Sequence, residues 1–303
     1  MTPTNCTICG TAIEPRFSDV RDPQSGEAFA IEACASCGLG HTSPVPENLG
    51  RYYGAAYYGG RHGFTARYCA QRRCGFLERA AGKSGRLLDI GCGDGTFLAA
   101  AKERNWTVAG TELGPNADRA RAQGLDVRES LTDFEPPFNA VTMWHTLEHF
   151  TQPLDILSQA HRLLDSNGAL IAAVPDAGGL QAAMFGARWF HLDVPRHLHH
   201  FDRHSLEELL KRAGFAVERW HHQEFEYDLF GWLQSALNTM MPAPNVLFNK
   251  LTGKPSRAGA AQVATSFLLG GLLGPLALGA TAAGTLAARG GTLIAVARKR
   301  SEA

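Results

Sequence analysis

The chain has 303 residues, 29 basic and 29 acidic side chains, a formal net charge of zero and 45% hydrophobic residues. That length suits one catalytic domain with appendages, and balanced, dispersed charge excludes the basic footprint of a nucleic-acid binder. The cysteines imply no disulfide framework, and the N-terminus lacks the basic, apolar and small-residue order of a signal peptide, so a reducing, cytoplasmic setting is expected.

Residues 1–46 carry Cys6-x-x-Cys9-Gly10 and Cys34-x-x-Cys37-Gly38. Each C-x-x-C turn aims two sulfurs at one point while the following glycine frees amides to face them, so the pair predicts a four-thiolate tetrahedral zinc site, zinc-ribbon-like in kind. Redox-active thiol pairs are the alternative for this spacing. The polar segment between the knuckles, with Pro15, Pro23 and Gly26, is expected to form at most a small hairpin, leaving much of the folding energy to the metal. A closed four-thiolate site has no open coordination position and is assigned no catalysis. Residues 47–84 follow as a tyrosine-rich segment, Arg51 to Gly60, and a lead-in helix from Thr65 to Ala81. Tyr52, Tyr53, Tyr57 and Tyr58 need hydroxyl partners; the segment is either a flap over a cofactor or a linker packed on the outside.

Residues 85–224 form the expected catalytic core. The apolar run Leu87-Leu88-Asp89-Ile90 stops at Gly91, Gly93 and Gly95 and becomes a helical pattern from Thr96. Strand, tight turn and helix opening offer close backbone approach and unpaired amides to a ligand. The register is wrong for a dinucleotide G-x-G-x-x-G, since the sixth position from Gly91 is Thr96. Asp89 and Asp94 would repel a pyrophosphate and suit a ligand carrying an ammonium and a sulfonium, as S-adenosylmethionine (SAM) does. The next strand-like run, Thr107 to Thr111, ends in Glu112, placed to take both ribose hydroxyls. This D-x-G-x-G-x-G with its strand-end acid resembles motif I and its partner in the class I SAM-dependent methyltransferases. The resemblance implies an α/β, doubly wound, Rossmann-like sheet of seven strands with the last antiparallel. N-terminal zinc modules of this sort also occur on similar bacterial methyltransferases, some acting on sugars.

Further strands are expected at Leu125 to Arg128, Phe138 to Trp144, Gly168 to Val174, Phe215 to His221 and Gly291 to Ala297. The helix after the fourth strand starts near Pro153 and is stopped by Asn167-Gly168; Ser205-x-x-Glu208 is read as a capping box. Two histidine-rich stretches lie where ligands bind in open α/β sheets. Trp144 to Phe150 resembles the post-strand motif of O-methyltransferases that modify quinone precursors, in which acids and a histidine hold a divalent cation. Glu148 and His149 match, but His145 stands where that pattern has its first acid, so His145, Glu148 and His149 are at most a second metal set; the alternative is that they only shape the cofactor pocket. Trp189 to Phe201 resembles W-x-x-x-D-x-P-x-H-L segments whose histidine faces the substrate. A hydroxyl acceptor must lose its proton during methyl transfer, and histidine is the base suited to neutral pH. His197 is the first candidate, then His145 and His199; each taken singly is also an ordinary packing histidine.

Residues 225–290 interrupt this pattern. Phe225 to Met240 shows a helical apolar stripe, and Ala258 to Ala288 contains no charged residue. The run is read as membrane-associated, entering one leaflet as two short helices broken at Gly274-Pro275, with Phe225 to Met240 lying flat beside them and Trp232 near the headgroups. Residues 291–303 supply the last strand and the basic tail Arg298-Lys299-Arg300. Three functions fit: a methyltransferase acting on a hydroxyl of a lipophilic or lipid-linked acceptor at the inner membrane face; a sugar-nucleotide methyltransferase using the insertion to oligomerise; and a silent membrane adaptor.

Overall fold

The structure is a computed structural model describing residues 4–54 and 63–300; the rest of the tyrosine segment, including Tyr57 and Tyr58, lies outside the described residues. In chain order the elements are β1 (Ile13–Arg21), β2 (Ala28–Cys34), β3 (Gly40–Ser43), α1 (Gly63–Ala81), β4 (Gly85–Ile90), α2 (Thr96–Lys102), β5 (Trp106–Thr111), α3 (Gly114–Ala122), β6 (Asp126–Arg128) and β7 (Phe138–Trp144). Then come α4 (Pro153–Leu163), β8 (Leu164–Pro175), α5 (Leu180–Phe185), β9 (His199–His200), α6 (Arg203–Arg212), β10 (Phe215–His221), α7 (Phe225–Met240), α8 (Val246–Leu251), α9 (Ala260–Leu286) and β11 (Thr292–Lys299). The chain divides into two compact units.

One unit holds His62–Val174, Glu207–His221 and Ile294–Ala303. Its seven-stranded sheet runs β10-β11-β8-β7-β4-β5-β6, parallel where β7, β4 and β5 meet and antiparallel between β10 and β11. Central strands covered on both faces read as continuous apolar runs, and β8 is buried from Gly168 to Pro175. Asn167-Gly168 does not stop a helix, contrary to expectation: α4 ends at Leu163 and β8 begins at once. Gly168 is there for clearance, because a Cβ would come 2.7 Å from Leu164 and 3.0 Å from the Phe138 carbonyl.

The other unit holds Met1–Arg61, Pro175–Leu206 and His222–Leu293. A four-stranded sheet, β1-β2-β3-β9, joins the cysteine region to the segment after β8, with Gly40 opposite His200 and His41 opposite His199. The β1–β2 hairpin is longer than expected; its outer residues are polar, as suits a sheet with one solvated face. Phe29, Ile31, Trp189, Leu192 and Val194 form its core. The cap leading into α6 sits one motif earlier than Ser205-x-x-Glu208. The Asp202 carboxylate accepts from the Ser205 amide at 2.8 Å, and the Ser205 hydroxyl accepts from the Asp202 amide at 3.0 Å.

Two expectations for the insertion are overturned. α9 is one continuous helix through Gly274-Pro275, so no hairpin forms. The amide that Pro275 lacks would have bonded back to Gly271, and both residues lie on the exposed side, where nothing approaches Gly271. Trp232 is buried at 8% exposure, edge-on to Phe185 at 5.8 Å; α7 is a packed helix that buries Trp232 and Leu237 of its stripe together with Asp228, Gln234, Ser235 and Asn238.

Candidate functional site

In the seven-stranded unit, the carboxyl ends of β7, β4 and β5 bring the glycine turn, Glu112 and the His145 stretch to one edge of the sheet, the switch point where open α/β sheets bind ligands. Gly91 has φ +73°, and a Cβ there would come 2.3 Å from the Thr146 methyl, so only glycine lets β4 turn beneath the exit of β7. Gly93 has φ +59° and open space where its Cβ would be; its amide donates to Glu112 Oε2 at 2.8 Å, while Glu112 Oε1 accepts from the Leu113 amide at 2.8 Å. Glu112 is therefore already aimed across the turn. Gly95 caps α2 in the left-handed region, and the Asp94 carboxylate accepts from the Thr96 amide at 3.1 Å. That helix-opening amide is spent on its own cap.

Asp89 is 2% exposed and accepts from the Thr142 hydroxyl at 2.6 Å. Burial pushes its carboxyl up to about 7, against the pull of Thr142 and Arg73 and with the push of Glu112. A buried acid poised there favours a cationic group. His145, at φ +53°, places Nδ1 3.8 Å from Glu148 Oε1. Of the second metal set, Glu148 and His149 offer ligand atoms within 4.8 Å of each other, and His145 does not join them in one group.

The cysteines do gather. The ligand atoms of Cys6, Cys9, Cys34 and Cys37 all lie within 4.8 Å of one another, with Cys6–Cys37 and Cys9–Cys34 sulfur pairs at 3.4 Å. Zinc–sulfur bonds of about 2.3 Å in a tetrahedron put sulfurs about 3.8 Å apart, so the set fits a structural zinc after slight expansion. The Ile8 amide faces Cys6 Sγ at 3.4 Å and the Cys37 amide faces Cys34 Sγ at 3.5 Å, the donors a thiolate pair wants.

His197 and His199 belong to the unit that contains the cysteines. His197 is 8% exposed, with Nδ1 2.8 Å from the His191 carbonyl. A carbonyl only accepts, so Nδ1 carries the hydrogen and Nε2 keeps its lone pair, 3.9 Å from Asp193. The His197 carbonyl accepts from the Thr42 hydroxyl at 2.6 Å, which fixes its backbone. His199, 4% exposed, turns into the sheet with Nε2 3.1 Å from the Thr7 hydroxyl; it is placed as a strut beside the Cys6 knuckle. Sequence reasoning missed the anchor of this loop. Arg196, 1% exposed, lies between Asp22 at 2.8 Å and Asp193 at 2.7 Å. An arginine after Asp-x-Pro was the visible signal, but nothing in the sequence pairs it with Asp22.

A family model described as "Methyltransferase domain" matches residues 61–219, more than half of the chain. A ubiquinone biosynthesis O-methyltransferase from Pseudomonas aeruginosa is 28% identical over 166 residues, covering 48% of this chain and 71% of that protein. One from Pseudomonas entomophila is 28% identical over 141 residues, covering 42% of this chain and 60% of that protein. Among solved structures, a SAM-dependent methyltransferase from Archaeoglobus fulgidus aligns at TM-score 0.48 and 17% identity, over 77% of this chain and 94% of that one. The glycine turn, the strand-end glutamate and the family match converge: the chain belongs to the methyltransferase-domain family and is a SAM-dependent methyltransferase.

Proposed function

We propose that the chain methylates a hydroxyl of a lipophilic or lipid-linked acceptor at the cytoplasmic face of a membrane. SAM supplies an electrophilic methyl group with a neutral thioether as leaving group. Glu112 receives the ribose hydroxyls, Asp89 faces the ammonium, and Gly91, Gly93 and Gly95 form the turn against the methionine end. His197 is the acceptor base: its Nε2 takes the hydroxyl proton as the oxygen bonds to carbon, and the Asp193 carboxylate stabilises the imidazolium formed. The observation that carries this reading is the tautomer of His197, held by the His191 carbonyl so that the basic nitrogen is Nε2. The acceptor class is supported by the quinone-directed relatives, of whose length the chain spans 60 to 71%, and by the apolar insertion. Cys6, Cys9, Cys34 and Cys37 hold a zinc that shapes the fold and takes no part in the transfer.

The test is methyl transfer from labelled SAM to a long-chain catechol in detergent, beside a soluble sugar nucleotide. His197→Ala should lose about 100-fold in turnover while keeping its SAM affinity by calorimetry. Full turnover in that variant removes the base assignment, and transfer to the sugar nucleotide alone would favour the second reading, in which the insertion serves oligomerisation.

A further inference from the structure

α9 is built inside out. Its buried residues are Ser266, Gly270, Ala277, Thr281 and Gly284, small or hydroxylated and recurring at helical spacing. Most of its large apolar residues point the other way: Phe267, Leu268, Leu272, Leu276, Leu278 and Leu286 are 46 to 89% exposed, while Leu269 and Leu273 pack inward. At 100° per residue these two sets fall on opposite halves of one helix. In a water-soluble protein the apolar half faces the core; here only 17% of the most apolar stretch is buried.

The small face is a close-packing seam. A Cβ on Gly270 would come 2.7 Å from Leu247 of α8, and Leu269 and Leu273 pack with Leu237, Met241 and Leu247. Close approach through small residues is how helices associate where solvent is apolar. The hydroxyls of Ser266, Thr281 and Thr285 bond back to carbonyls of Val263, Ala277 and Thr281, and Gln262 donates to the Ala243 carbonyl. These polar groups need no water.

The ends of the insertion exclude a single crossing. A Cβ on Gly290 would lie 1.6 Å from the His222 carbonyl, so the chain leaves and returns at one place, and α9 is its one long apolar helix among the described residues. Charge indicates what covers the exposed half. From Leu229 to Ser301 the sequence contains no Asp or Glu, while Lys250, Lys254 and Arg257 precede the uncharged run and Arg289 follows it. Cations at both ends of an apolar row match a phosphate surface above acyl chains.

We infer that α9 lies flat in one leaflet of an anionic phospholipid membrane, with the Leu268-Leu272-Leu276 row among the acyl chains and the Ser266-Gly270-Ala277 seam packed on α7 and α8. This rests on the membrane reading above and gives it a face, an orientation and a lipid charge.

The test is co-sedimentation of the full chain with vesicles of phosphatidylcholine alone or with one-third phosphatidylglycerol. The wild type should bind the anionic vesicles at least ten-fold more tightly, and Leu268→Gln/Leu272→Gln/Leu276→Gln should lose at least ten-fold of that binding while keeping its helical circular dichroism and SAM affinity. Arg257→Gln/Arg289→Gln should lose the anionic preference and keep the residual binding. Wild type remaining in the supernatant, or a triple variant that sediments undiminished, overturns the inference. So does light scattering that shows a vesicle-free dimer dissolved by the triple substitution, which makes a second copy the occupant. Methyl transfer to the detergent-dissolved catechol is read separately, so failed lipid binding leaves the enzymatic reading standing.

Discussion

Replacing Arg196 with Met should cost more stability than any surface change in this chain. The guanidinium donates from Nη2 to Asp22 at 2.8 Å and to Asp193 at 2.7 Å, and from Nε to both Asp193 oxygens at 3.1 Å. Asp22 and Arg196 side chains are each 1% exposed and that of Asp193 is 24% exposed, so water cannot replace the lost partner at Asp22. An uncompensated buried charge costs about 3–5 kcal/mol, roughly two to three and a half decades in the folded-to-unfolded ratio. Burial alone would raise the Asp193 carboxyl; Arg196 outweighs burial and holds it well below the usual carboxylate range. A carboxylate depressed in the folded state adds stability above its unfolded value, about 3.9, and that stability disappears as pH falls through the lower folded value. The deficit of Arg196→Met should therefore be full at neutral pH and shrink below about pH 4. Urea unfolding at pH 7 and pH 3.5 measures both numbers. Arg196→Met/Asp22→Leu/Asp193→Asn should recover most of the loss, because no buried charge then remains. A loss under about 1 kcal/mol at pH 7, the scale of a surface pair, would refute the reasoning.

Three further outcomes follow from the sites. Glu112→Ala should weaken SAM binding about ten-fold or more, since lost hydrogen bonds to buried groups cost about 1–3 kcal/mol each; unchanged calorimetric affinity would remove Glu112 from the ribose. SAM affinity should fall as pH drops below about 7, where the Asp89 carboxyl protonates, by up to about ten-fold per pH unit, with protons released on binding. Asp89→Asn should flatten that profile, and a wild-type affinity constant from pH 5.5 to 8 would show that Asp89 meets no cation. Cys34→Ser should abolish stoichiometric zinc in elemental analysis and expose the β1–β3 region to proteolysis, leaving SAM binding intact; a metal-free wild type with a protected N-terminal region would refute the zinc assignment.

What was legible in the sequence was short-range. Apolar runs separated by helical patterns placed the strands of the large sheet, and Asp89 to Gly95 marked a glycine turn, because a left-handed glycine acts where it stands; Glu112, at the end of the next strand, meets that turn through the Gly93 amide. The cysteine knuckles were equally local, since two residues between sulfurs already dictate the turn. Tertiary structure decided what depended on a partner. Ser205-x-x-Glu208 carries the capping-box pattern, but Asp202 caps the helix start; Asn167-Gly168 has the pattern of a helix stop, but β8 needs a residue without a side chain beside Leu164. Gly274-Pro275 did not break α9 because the missing bond fell on its outer side, while α7 and α8 held the inner seam. His197 and His199 are two residues apart and were ranked by motif alone, yet the His191 carbonyl sets the tautomer of one through Nδ1, while the other has Nε2 engaged by Thr7. Asp22 and Arg196 are 174 residues apart, and no local pattern encodes that pairing, which arises only when β9 joins the sheet of the cysteine region and the two charges are buried together.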